Sequence, residues 1–159
     1  MNLKVMSLFK NKLLFLSLFI FIQLSCSDDE NEACTDKIIE TTSLENEYGC
    51  INTKFGMEIN LTDDFMVITN QEDFERLVTG DCQPDIDFST YDLIIGKKQL
   101  TTGNDSIDYQ LIENCETNTY ILEVTFKQNN TLIAPNLTYH RLIPKLPQTA
   151  DVIVDITEN

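Results

Sequence analysis

Residues 13–22 (LLFLSLFIFI) decide where this chain folds, and through that how its cysteines are used. Nine of these ten residues are apolar, and Lys4, Lys10 and Lys12 precede them. A basic segment followed by an apolar stretch of about 7–15 residues is the pattern of a secretory signal peptide, and it falls short of the ~20 residues a membrane-spanning helix needs. The stretch ends abruptly at Gln23-Leu24-Ser25-Cys26, and acids follow at once. An exported chain folds where thiols oxidise. Leaving Cys26 aside, Cys34, Cys50, Cys82 and Cys115 remain, an even set that implies two bridges and allows three connectivities. The expected pairing is Cys34–Cys50, closing a short loop in a segment with little core pattern, and Cys82–Cys115, joining the end of a helix to a later hairpin turn. Each bridge would contribute about 3–4 kcal/mol by restricting the unfolded chain. A zinc site is the competing use of cysteine, but there is no CxxC pair and His140 is the only histidine.

Leu24-Ser25-Cys26 resembles a lipobox, with small Ser25 before the cysteine. Gln23 stands where the usual motif has Leu, a change found in the looser lipoboxes of Bacteroidota-type lipoproteins. The resemblance implies removal of residues 1–25, a thioether from Cys26 to diacylglycerol, and acylation of the freed amine. Each buried methylene adds about 0.8 kcal/mol, so several chains together hold a protein at a bilayer where one does not. Ser27-Asp28-Asp29-Glu30 resembles the acidic signal that carries such lipoproteins to the outer face of the outer membrane. The same acids also suit a solvated tether. Fully extended, the segment before Cys34 reaches roughly 25 Å. The expected location is the cell envelope, anchored by lipid at Cys26 and facing outward.

The 159 residues suffice for one globular domain, residues 34–159, behind the tether at 26–33. Three of the eleven Lys+Arg and none of the 26 acids lie in residues 1–25, which leaves a formal −18 on the rest. Such a surface repels phosphate backbones, so nucleic acid is excluded as a partner.

Periodicity assigns an α+β domain, mostly β, with a small antiparallel sheet and one short helix. Residues 34–62 read as an irregular, bridge-pinned segment with a strand near 57–61. Phe65-Met66-Val67-Ile68 is a buried-strand run. Thr69 with Glu72 fits a capping box, and Asn70 with Asp73 fits equally well. Phe74, Leu77 and Val78 make one apolar stripe, and Gly80 is the expected helix stop. Beyond it the period is two. Residues 91–95 form a compact strand; Ile107, Tyr109 and Leu111 alternate with polar neighbours, as do Tyr120, Leu122, Val124 and Phe126. Strands at 137–143 and 152–156 complete an antiparallel meander.

Chemistry-bearing motifs are sparse. No GxSxG elbow is present, and the one histidine sits in a strand context, Tyr139-His140-Arg141, where a structural role is the ordinary one. No catalytic residues are expected, and no cofactor. Asp85-Ile86-Asp87 opens like a calcium loop, but Thr90 stands at the sixth position and Gly96 at the twelfth. A calcium site of another kind would draw on Asp81, Asp85 and Asp87; solvated loop acids, with Asp87 capping the turn before Tyr91, are the simpler reading. Asp105-Ser106-Ile107 resembles the three-residue sequon for O-glycosylation in Bacteroidota-type secreted proteins, with Ser106 as acceptor.

Several stretches together resemble the PrcB C-terminal domain family, named for a lipoprotein subunit of a protease complex. They are Val67-Ile68-Thr69 with the acidic helix through Phe74, Ile86-Asp87-Phe88-Ser89, Gly96 followed by Thr102-Gly103, and Tyr139 through Lys145 (YHRLIPK). The likeness spans residues 64–156. Where the family commonly has Thr-Gly-Gly-Tyr, this chain reads Thr102-Gly103-Asn104-Asp105. The resemblance implies a non-catalytic protein that binds or stabilises an exported protease or another envelope protein. Gly96, Thr102, Gly103, Asn104 and Tyr139, with Tyr91 and Tyr109, are the residues to examine for docking, against core packing and turn geometry as their alternative roles. The alternative function is an accessory lipoprotein that binds a small ligand, a glycan or calcium.

Overall fold

The computed structural model describes residues 34–61 and 64–159; the signal peptide, Cys26 and the export signal at 27–30 lie outside the described residues. The run Tyr91 to Gly96 organises the rest. Leu93, Ile94 and Ile95 are all fully buried, and a strand can bury consecutive side chains only if both its faces are covered. That strand, β5, is the centre of a three-layer arrangement.

In chain order the elements are β1 (Lys37–Ile39), α1 (Leu44–Tyr48), α2 (Thr53–Gly56), β2 (Met57–Ile59), β3 (Phe65–Ile68), α3 (Gln71–Leu77), β4 (Val78–Gly80), β5 (Tyr91–Gln99), β6 (Gly103–Asn114), β7 (Thr119–Asn129), β8 (Asn136–Pro144) and β9 (Asp151–Glu158). The central sheet runs β3-β5-β8, all antiparallel. On one face Leu93, Ile95 and Leu142 pack with Ile68, Phe74, Leu44, Met57, Ile59 and Val78, under the helices and the small β2-β4 ribbon. On the other, Ile94, Leu137, Tyr139 and Ile143 meet Leu111, Leu122, Val124 and Phe126 from a four-stranded sheet ordered β1-β6-β7-β9. Phe126 and Tyr139 touch edge to face across this gap, with ring centroids 6.0 Å apart. Among the described residues no helix is long and apolar enough to cross a membrane.

The mostly-β α+β class holds; four details differ from expectation, and the choice between two helix caps is decided. Residues 34–61 contain two extra helices, α1 and α2, of five and four residues, each too short to show a stripe. Helix α3 begins at Asn70, whose side chain accepts from the Asp73 N–H at 2.9 Å, so the Asn70/Asp73 pair caps it rather than Thr69/Glu72. It stops at Leu77, and the chain passes straight into β4. Gly80 therefore ends a strand, not the helix: with φ +117 its missing Cβ makes room for the Gly56 backbone. The last strand departs from the meander, since β9 runs parallel to β7. Its connection is fixed by Asp92, whose side chain is buried and takes Lys145 Nζ at 2.6 Å and the Leu146 N–H at 2.9 Å.

The last difference is the disulfides. They join Cys34 to Cys115 and Cys50 to Cys82, with Cα separations of 5.7 and 5.6 Å. The expected 34–50 and 82–115 pairing fails because β1 lies antiparallel beside β6, Lys37 opposite Glu113, which brings Cys34 to the β6–β7 turn. Cys82, just beyond β4, meets Cys50 between α1 and α2.

Candidate interaction surface

The residues singled out for docking divide into buried and accessible sets. Tyr139 and Gly96 face each other across the β8–β5 ladder. Tyr139 is fully buried, and a Cβ on Gly96 would collide with its hydroxyl and Cζ. The glycine exists here so that the phenol can lie flat over β5. Burial pushes the Tyr139 phenol up to about 12, with Asp64 adding to the effect. These two residues are therefore core, not surface, as is buried Gly103. Tyr91 and Tyr109 are half-buried. Ser106 is half-buried inside β6, one residue past a bulge.

Thr102 and Asn104 stay accessible in part, and both are tied down. The Thr102 hydroxyl bonds Gln128 Oε1. Asn104 Nδ2 donates to the Ser106 and Lys127 carbonyls at 2.8 and 3.1 Å, closing the bulge that the β6–β7 register shows between Asn104 and Ser106. Its Oδ1 accepts Lys54 Nζ at 3.2 Å, so α2 lies against the same turn.

The loop at 130–135, absent from the expected set, completes this end of the domain. Its backbone is pinned: Gly103 donates to the Thr131 carbonyl at 3.2 Å, Leu100 to Pro135 at 2.9 Å, and Gln99 Nε2 to Ala134 at 2.8 Å. Between these ties Leu132 is 99% exposed and Ile133 71%. The available signal was an apolar doublet among turn residues, outside any period-two strand. An apolar pair on a fixed backbone is already ordered for contact, so little entropy is lost when something covers it.

A polar cluster sits where α1 and α2 meet β8. His140 Nε2 lies 2.8 Å from Thr53 Oγ1 and 3.5 Å from a Glu45 oxygen, and Thr53 also bonds Glu45. In a nucleophile relay the acid and the hydroxyl engage opposite ring nitrogens. Here both crowd Nε2, and Thr53 is buried, so its hydroxyl reaches no external substrate. Burial alone would raise the Glu45 carboxyl, but the hydrogen bonds from His140 and Thr53 outweigh it and hold the group well below the usual carboxylate range. Burial raises the Tyr109 phenol as well. Asp87, from the calcium-like stretch, uses its carboxylate on Ser89 and Thr90 and caps the turn before Tyr91, as expected. An apolar cleft of about 530 Å³ opens between β3 and β9, walled by Phe65, Val67, Leu146 and Val152 above the Asp92–Lys145 pair.

No protein-family model matches the chain, and no curated protein or solved structure matches it significantly.

Proposed function

We propose that this protein is a cell-envelope lipoprotein, anchored at Cys26 to the outer membrane and facing outward, whose domain binds another envelope protein and carries out no chemistry itself. The PrcB-like pattern in residues 64–156 suggests an exported protease or its assembly as the partner class. The observation that carries the reading is the exposed Leu132-Ile133 pair on its pinned loop. The chain enters the domain at Cys34, bridged to Cys115 in the β6–β7 turn, whereas the 130–135 loop follows the other end of β7. Eleven residues of β7 separate the two ends by roughly 35 Å. The apolar pair therefore lies at the far end of β7 from the Cys34–Cys115 bridge. The adjoining turn and α2 add polar atoms and exposed Phe55.

The test is photo-crosslinking in intact cells. A benzophenone amino acid at Leu132 should give a discrete adduct with one envelope protein, lost in the Ile133→Ser background, while the same probe at Glu116 in the opposite turn gives none. Equal labelling from both positions, or adducts to lipid alone from position 132, would overturn the proposal.

A further inference from the structure

The described residues leave three cations without an acidic partner in a chain where acids outnumber Lys+Arg 26 to 11. Arg76, Lys97, Lys98, Lys127 and Lys145 each pair with a carboxylate. Among the described residues Lys37, Lys54 and Arg141 do not, and the last two line one pocket of about 270 Å³ between α1, α2, β6 and β8. With so many acids competing for them, two unpaired cations in one concavity call for an explanation.

The pocket is built around Arg141. Its guanidinium carbon lies over the Tyr109 ring, 4.3 Å from the centroid, a cation–π contact that holds the group in place. Its Nε is buried and has no hydrogen-bond partner. His140, 4% exposed, lines the same space, and its Nδ1 is likewise unpartnered. Lys54 Nζ bonds only neutral oxygens, Asn104 Oδ1 at 3.2 Å and the Asp105 carbonyl at 3.3 Å. Glu45 also lines the pocket, but its oxygens are engaged by Thr53 and His140. Ile107 and the Tyr109 ring supply an apolar wall, while Ser43 and Asn46 supply polar ones. A buried donor is normally satisfied, so the unpartnered Arg141 Nε marks where an acceptor belongs.

We propose that this pocket binds a small carboxylate-bearing molecule, up to the size of a hexuronic acid. The carboxylate lies in the guanidinium plane and takes both Nε–H and a terminal N–H of Arg141, with the Lys54 ammonium as the second charge. Arginine held over an aromatic ring offers the planar, two-bond geometry that suits a carboxylate. The inference does not depend on the docking role proposed above.

The full chain in detergent is titrated by calorimetry with sodium glucuronate, sodium glutamate and, as a tetrahedral control, sodium sulfate, all at matched ionic strength. One of the carboxylates should bind saturably at one site. Arg141→Gln should weaken it at least tenfold and Lys54→Met severalfold. Thermal scans of each variant without ligand report folding, and Lys54, half-exposed, is replaceable even if Arg141→Gln unfolds. Absence of saturable carboxylate binding, binding unchanged in Lys54→Met, or sulfate binding as tightly as the carboxylates would each overturn the proposal. The crosslinking result at Leu132 is read separately, so either idea fails without the other.

Discussion

At the scale of single residues, the fold depends on a few close approaches that no neighbour in the sequence announces. Gly96 and Tyr139 lie 43 positions apart, yet each dictates the other's size. Gly96→Ala should destabilise the domain by about 1–3 kcal/mol through overpacking. Tyr139→Phe in the same chain should recover part of that by removing the oxygen the new methyl strikes. Urea unfolding of both single variants and the double gives the coupling, and strictly additive losses would refute the contact. Glu45 supplies a pH test. Its carboxyl is depressed in the folded state, so its contribution is complete above the ordinary 4.5 and drains away as pH falls below that value. Exposed Asp73 and Asp87 are depressed too and act in the same window. The urea midpoint of the wild type should therefore drop between pH 5 and 3, as read against these carboxylate values, and the drop should be shallower in Glu45→Gln. Parallel profiles would show that the Thr53–Glu45–His140 contacts carry no linkage. Asn70 was legible beforehand as one of two equally good caps, because capping needs only four consecutive residues. The burial of Tyr139 was not, because nothing local says that both faces of β8 are covered.

At the scale of elements, long strands were readable and short pieces were not. The alternation from Tyr120 to Phe126 placed β7, and the apolar run placed β5, since periodicity over many residues averages out exceptions. Helices α1 and α2, at five and four residues, hold barely one turn each, and their stability comes from packing Leu44 and Met57 beside them rather than from any repeat. The parallel placement of β9 was hidden for a different reason: local pattern carries no direction. Bridge pairing was hidden likewise, since it follows from β1 lying on β6. Mass mapping without reductant should recover linked peptides 34–115 and 50–82 and no other pair. Loops of 81 and 32 residues imply about 4.5 and 3.7 kcal/mol from chain entropy. The double variant Cys50→Ala/Cys82→Ala should therefore lose about 2–4 kcal/mol in urea titration; a loss under about 0.5 kcal/mol would leave that bridge without a stabilising role.

At the scale of the whole molecule, charge is the dominant property and composition alone revealed it. Eight basic against 26 acidic side chains beyond residue 25 repel one another in the folded state more than in the expanded chain. Raising sodium chloride from about 10 to 150 mM shortens the screening length from roughly 30 to 8 Å. The melting temperature should rise by a few degrees, since the surface pairs Arg76–Asp73 and Lys127–Asp108 are individually too weak to reverse the trend. A fall in melting temperature would mean that those pairs outweigh the general repulsion. The two candidate sites were the least legible features, because Lys54, Tyr109 and Arg141 come together only when three layers stack, and Leu132 is notable only once its neighbours are covered.

The two bridges also set what a protease can release. The smaller ring, 50 to 82, lies wholly inside the larger, 34 to 115. One cut anywhere between Cys34 and Cys115 leaves both fragments covalently joined. With the chain held at Cys26 as proposed, releasing the intact body in one stroke requires cleavage ahead of Cys34, and the acidic stretch before it becomes the place where retention and loss are decided.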